Sequence, residues 1–109
     1  MSNYLFIESR DPFESRDLQF VEETISVLQG RGHTVTVFLL QNGVLGARRN
    51  GRENYLDRLH RKGVSLLVDD FSLRERGIQT AELMPGLQQS NIETLVAALV
   101  RENTKAIWH

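Results

Sequence analysis

The sequence predicts a small α/β domain, a doubly wound parallel sheet with helices on both faces. Three observations lead there. Short runs that are apolar or β-branched throughout recur along the chain, as in strands covered on both sides. Segments with helical spacing of apolar residues lie between them, so strands and helices alternate. And 109 residues with 40% hydrophobic content supply one core without a disulfide or metal staple. A single domain over residues 1–109 is therefore expected.

The elements follow in order. Tyr4-Leu5-Phe6-Ile7 reads as a first strand, and Arg10 to Ser15 as a polar loop punctuated by Pro12. Leu18, Val21, Ile25 and Leu28 mark an amphipathic helix with Asp17, Glu22 and Glu23 early in it, ended by Gly30 and Gly32. Thr34 to Leu40 is a second strand that breaks at Gln41-Asn42-Gly43. Asn50-Gly51-Arg52-Glu53 has capping-box spacing and is expected to start a helix running to about Lys62, with Gly63 ending it. Val64 to Val68 is a third strand that runs into Asp69-Asp70. A short helix from Leu73 to Arg76 is stopped by Gly77, and Ser72 or one of the two aspartates is its expected cap. Residues 78–89 give no clear signal beyond the turn at Pro85-Gly86. Ser90-Asn91-Ile92-Glu93 is a second capping-box match, followed by Ile92, Leu95, Val96 and Leu99 at i, i+3, i+4 and i+7. Lys105 to Trp108 closes the chain as a strand.

Composition excludes several functions. With no cysteine, thiolate metal sites, disulfide scaffolds and thiol nucleophiles are impossible. A net charge of -1 gives no global attraction to nucleic acid or anionic membrane. The apolar runs are too short to span a bilayer, and the first residues lack a basic, cleavable leader, which together predict a cytoplasmic protein. Neither a dinucleotide fingerprint nor a phosphate loop is present, because Ser9-Arg10-Asp11-Pro12 carries no glycine.

In folds of this class ligands bind beyond the carboxyl ends of the strands. That rule selects Ser9, Arg10, Asn42, Gly43, Asp69 and Ser72 as a candidate cleft. Asp69 and Asp70 are adjacent carboxylates able to ligate a divalent cation, or one of them caps the following helix. His33, His60 and His109 lack ligand spacing and read as solvated, although His109 follows the last strand and so approaches the cleft. Residues 48–62 carry six cations against Glu53 and Asp57, while residues 1–27 carry six acids against Arg10 and Arg16. The two stretches fit a solvated face with local ion pairs, in which Glu53 and Asp57 flank Arg58, or a complementary subunit contact, better than nucleic acid. Tyr55 is the one aromatic available there for base stacking.

Two segments carry a family resemblance. Gln41-Asn42-Gly43-Val44 resembles the Asp/Asn-Gly-Val loop of the DsrE/DsrF-like sulfur-relay family, with its TusBCD and YchN groups. Ser72-Leu73-Arg74-Glu75-Arg76-Gly77-Ile78 is similar to that family's Cys-Leu-x-x-Arg-Gly-Ile segment. Leu83-Met84-Pro85-Gly86-Leu87, the helix from Ile92 and the closing strand follow in the family's order, so the likeness spans nearly the whole chain.

The resemblance implies about five parallel strands, assembly into trimers or hexamers, and sulfur transfer through a persulfide on a cysteine just after the third strand. Aligned on Arg76-Gly77, the two cysteine positions found in the family fall on Ser72 and Asp69. Neither a hydroxyl nor a carboxylate replaces a persulfide sulfur. The expectation is a DsrE-like subunit without sulfurtransferase chemistry and without a cofactor, a homo-oligomer or a partner of related subunits, with a small anion held near Arg10 and Ser72. The alternatives are a metal-dependent enzyme using Asp69 and Asp70, and a nucleic-acid binder using residues 48–62. If the alignment is right, Ser72→Cys or Asp69→Cys creates a reactive thiol.

Overall fold

The computed structural model describes residues 1–49 and 52–109. Five strands form one all-parallel sheet: β1 (Asn3–Glu8), β2 (Thr34–Leu39), β3 (Ser65–Asp69), β4 (Leu87–Ser90) and β5 (Thr104–Trp108). Their order across the sheet is β4-β3-β2-β1-β5. The chain thus steps outward from β1 to β4, then returns to the far side of β1. Parallel neighbours need crossovers of one hand, so this reversal sends the last helix to the opposite face.

The two faces are unequal. On one, α1 (Leu18–Gly30), a 3-10 segment (Gln41–Ala47), α2 (Tyr55–Arg61) and α3 (Asp70–Glu75) cover the sheet. Val21, Ile25, Leu56, Leu59 and Leu73 pack there on Phe6, Val37, Leu39, Leu66 and Val68. On the other, α4 (Ile92–Leu99) stands alone, and its Leu95 packs on Leu5, Ile7, Phe38 and Leu40. Alternation along β1 explains the division, since Phe6 points to one face and Leu5 and Ile7 to the other.

Several expectations change. The expected cap at Asn50 and Gly51 lies outside the described residues, and α2 begins later, at Tyr55. Asn54 caps it: its Oδ1 accepts from Leu56 N (2.8 Å), while Asp57 Oδ2 accepts from Asn54 N (2.9 Å). Both Asn-x-x-acid matches satisfy the local rule, but only the later one starts the helix where Tyr55, Leu56 and Leu59 can be buried together.

Ser72 is not a cap. It lies inside α3, which starts directly after β3 with Asp69 as its N-cap. Ser90 belongs to β4, and Asn91 caps α4 through Oδ1 to Thr94 N (2.9 Å). β4 is a strand without a sequence signal, because Leu87-Gln88-Gln89-Ser90 is a wet edge and needs no apolar run. Gly77 ends α3 in the left-handed region (φ 66), where a side chain is strained.

The apolar stripe on α4 is real, but the chain buries little of it. Leu95 is 5% exposed, whereas Ile92, Val96 and Leu99 are 45, 52 and 39% exposed.

Candidate functional site

At the carboxyl ends of the strands the predicted residues divide into two layers. Ser9, Arg10 and Asn42 line an open depression of about 650 Å³, closed on its other side by the 11–17 loop. Gly43, Asp69 and Ser72 lie beneath it, buried. The mixed charge of the depression, Arg10 and Arg16 against Asp11, Glu14 and Asp17, does not select an anion.

The buried layer is a connected polar network. Asp69 Oδ2 accepts from Ser72 N (2.9 Å) and from Ser72 Oγ (2.6 Å). Ser72 Oγ in turn accepts from Gln41 N (2.9 Å). That bond holds Gln41 at φ 53, an unusual conformation for a residue other than glycine. Asp69 is 1% exposed, and its Oδ1 has no hydrogen-bond partner. Arg76, reaching back from the end of α3, donates to Asn42 Oδ1 (3.1 and 3.0 Å) and to Ser72 O (3.2 Å). The Asn-Gly and Arg-Gly segments singled out in the sequence thus join β2 to α3 across the sheet's carboxyl end.

Gly43 has a packing role. A Cβ there would stand 1.9 Å from Glu8 O, which already accepts from Leu40 N (3.0 Å). The loop after β2 can lie against the end of β1 only because residue 43 has no side chain.

Sequence reasoning missed a second cluster beside this network. Glu8, at the end of β1, is 2% exposed. His109 is not solvated: its Nδ1 is 2.9 Å from Glu8 Oε1, and its Nε2 is 2.7 Å from Asp17 Oδ1. Burial pushes the Glu8 carboxyl above its ordinary range, partly offset by His109. Nothing local announces this contact, since the two residues are 101 positions apart. His33 is likewise engaged, accepting from Ser2 N (3.0 Å) with its ring edge-on to Tyr4, whereas His60 is exposed.

The alternatives find little here. Among the described residues no group of three or more His, Asp or Glu side chains is placed to hold a metal ion. Asp69 is occupied as a cap, and Asp70 pairs with Arg74 (3.4 Å). In the basic stretch Arg58 pairs with Glu22 of α1 (2.6 Å) and Arg61 with Glu53 (2.6 Å). Asp57, expected to flank Arg58 as an ion-pair partner, serves as a cap instead. Part of the charge complementarity between residues 1–27 and 48–62 is therefore satisfied within the chain.

The sequence profile of the DsrE/DsrF-like family matches residues 2–104. The chain belongs to that family. Among curated proteins none matches it significantly in sequence. Two solved structures are similar in fold. One is MTH1491 of Methanobacterium thermoautotrophicum, a protein of unknown function, with a TM-score of 0.79 at 22% identity, covering 100% of both chains. The other is the ychN protein of E. coli, with a TM-score of 0.80 at 17% identity, covering 98% of this chain and 100% of that one.

For this DsrE-like chain, the resemblance puts the family's thiol positions on Ser72 and Asp69, both now seen to be buried and bonded to each other. This burial reverses the expectation drawn from the sequence, in which Ser72→Cys gives a reactive thiol. A Ser72→Cys thiol would sit against the Asp69 carboxylate, which disfavours the thiolate. Its alkylation at pH 8 by iodoacetamide should be at least about tenfold slower than that of a free thiol with the ordinary pKa near 8.5. Asp69→Asn added to Ser72→Cys should restore part of the rate. Rapid labelling of the single variant would show that the loop at Gln41 opens readily.

Proposed function

We propose that this chain is a one-domain assembly subunit of the DsrE-like, sulfur-metabolism-related family that acts without sulfur transfer of its own. The observation that carries this reading is the apolar surface left on α4, on Val100 that caps its end, and on β5. Val96 is 52% exposed, Val100 78% and Trp108 61%, with Ile92, Leu99 and Ile107 beside them in sequence on the same two elements. Scattered exposed apolar residues are ordinary, but a helix whose apolar stripe is mostly uncovered, next to a sheet edge, is what a subunit interface supplies. The cysteine-free sequence supports the second half of the reading, because no other side chain carries a persulfide.

Assembly into a trimer or hexamer of identical chains, or with related DsrE-like subunits in the cytoplasm, follows from this reading. Among the described residues no helix is long and apolar enough to cross a membrane. Light scattering at micromolar concentration should report a multiple of 12.5 kDa, the mass of one chain. Val96→Glu should weaken association about thirtyfold or more, the equivalent of a 2 kcal/mol hot spot, while circular dichroism stays unchanged because the site is exposed. A chain that remains monomeric alone and when mixed with related subunits would overturn the proposal.

A further inference from the structure

The ends of β1 and β5 are fastened to each other and to the loop before α1. His109 N donates to Ile7 O (2.8 Å), and Ser9 N donates to His109 O (2.9 Å). Trp108 Nε1 donates to Ser9 Oγ (3.1 Å), which itself donates to His109 O (3.1 Å). The His109 ring then lies between Glu8 on β1, hydrogen-bonded to Nδ1 (2.9 Å), and Asp17 ahead of α1, which Nε2 approaches to 2.7 Å as an ion-pair contact without hydrogen-bond alignment. Ser15 Oγ donates to Asp17 Oδ1 (2.5 Å). Glu8 Oε2 is buried with no hydrogen-bond partner, so its charge depends heavily on the imidazole. This is also where the strand order reverses.

We propose that Glu8, His109 and Asp17 form a proton-operated clasp, which holds the end of β5 against β1 and the 9–17 loop and releases it when the cluster loses its proton. With an imidazolium between them, each carboxylate faces a cation, although the cluster keeps one net negative charge. With a neutral imidazole, an ionised Glu8 is a buried charge facing a neutral ring, and moving β5 and His109 aside readmits water to it. The other charged and titratable groups around Glu8 are Arg10, whose guanidinium favours its charge, and the phenol of Tyr55 on α2, itself pushed up by burial and then by Glu8.

The pKa directions agree in sign. Burial raises Glu8, with His109 opposing. For His109 burial opposes the charge, but Asp17 and Glu8 outweigh it, so it too is raised. Both groups bind their proton more tightly when folded. Their contribution is complete below the ordinary values of 4.5 and 6.5, and is lost as pH rises through the raised ones. Asp17, held at about 2 by Ser15 and His109, contributes above its ordinary 3.8 and loses this only in strong acid. The clasp is therefore closed in mild acid and opens on the alkaline side. It acts within one chain and does not require assembly.

Trp108 is the sole tryptophan, so its indole N–H is a single NMR resonance that reports the Ser9 contact. In the ¹⁵N-labelled full chain, the His109 ring and the Trp108 indole should titrate together, with a midpoint above 6.5. His109→Gln assigns the ring resonance by its loss. Glu8→Gln should move the His109 midpoint down and abolish the indole transition, since the substituted amide stays neutral. Asp17→Asn, at an exposed position, should lower both midpoints together and serves even if Glu8→Gln fails to fold. A wild-type His109 midpoint at or below 6.5, or an indole resonance that does not move with it, overturns the proposal. Persistence of the indole transition in folded Glu8→Gln does the same. The His109 ring does not belong to the proposed assembly surface, whereas Trp108 does, so the indole titration is repeated in the Val96→Glu chain, where the clasp transition should persist even if assembly is lost.

Discussion

Gly43→Ala should destabilise the protein by about 3 kcal/mol or more, a cost near the top of the range for a single added methyl group. The added Cβ would fall 1.9 Å from Glu8 O and 2.8 Å from Glu8 C. Neither neighbour is the yielding end of a side chain; both are backbone at the end of a central strand. Relief requires moving the loop that begins at Gln41 away from β1, which breaks the Leu40 N to Glu8 O bond and strains the Gln41 N to Ser72 Oγ bond. Urea unfolding followed by circular dichroism measures the loss. Gly30→Ala is the matched control. A Cβ at residue 30 meets nothing within 4 Å, and in the last turn of α1 it should be neutral or stabilising by about 0.5 kcal/mol. Equal effects at the two positions would mean that the approach of the loop to Glu8 is not what residue 43 provides.

Asp69→Ala should cost about 2 to 3 kcal/mol by the same measurement. The carboxylate caps α3 and takes two hydrogen bonds from Ser72, both fully buried. Hydrogen bonds to a buried charge exceed the usual 1 kcal/mol or so, but the unpartnered Oδ1 gives some of that back when removed. Asp69→Asn retains an acceptor for Ser72 and should cost only about 1 kcal/mol. An Asp69→Ala protein as stable as the parent would point away from a structural role, and back to the ligand or metal chemistry that adjacent aspartates suggested.

The sequence was most legible where one local rule acts alone. The strand at Tyr4 to Ile7, the helix carrying Val21 and Ile25, and the strand from Thr34 are read from their own periodicity, and the structure moves their ends by a residue or two. Family motifs located the carboxyl-end network, in which Asn42, Ser72 and Arg76 meet. Legibility fell where two local solutions compete or where the signal is not local. Asn50 and Asn54 each precede an acid by three residues, and only burial of Tyr55 and Leu56 chooses between starts. β4 is polar because an edge strand is wet. The α4 stripe is correctly amphipathic, yet amphipathicity does not say which surface covers it.

The sequence by itself determined the alternation of strands and helices, the parallel sheet and the absence of thiol chemistry. These depend on residue type and short-range spacing, which a linear reading contains. Only the tertiary structure decided that Ser72 and Asp69 bond to each other rather than face a cleft. It alone decided that Gly43 serves the backbone of Glu8, and that His109 is held between Glu8 and Asp17. The physical reason is that each of these contacts is made across the sheet's carboxyl edge. The parallel order β4-β3-β2-β1-β5 brings together residues as far apart as positions 8 and 109, and burial then gives them the roles they have.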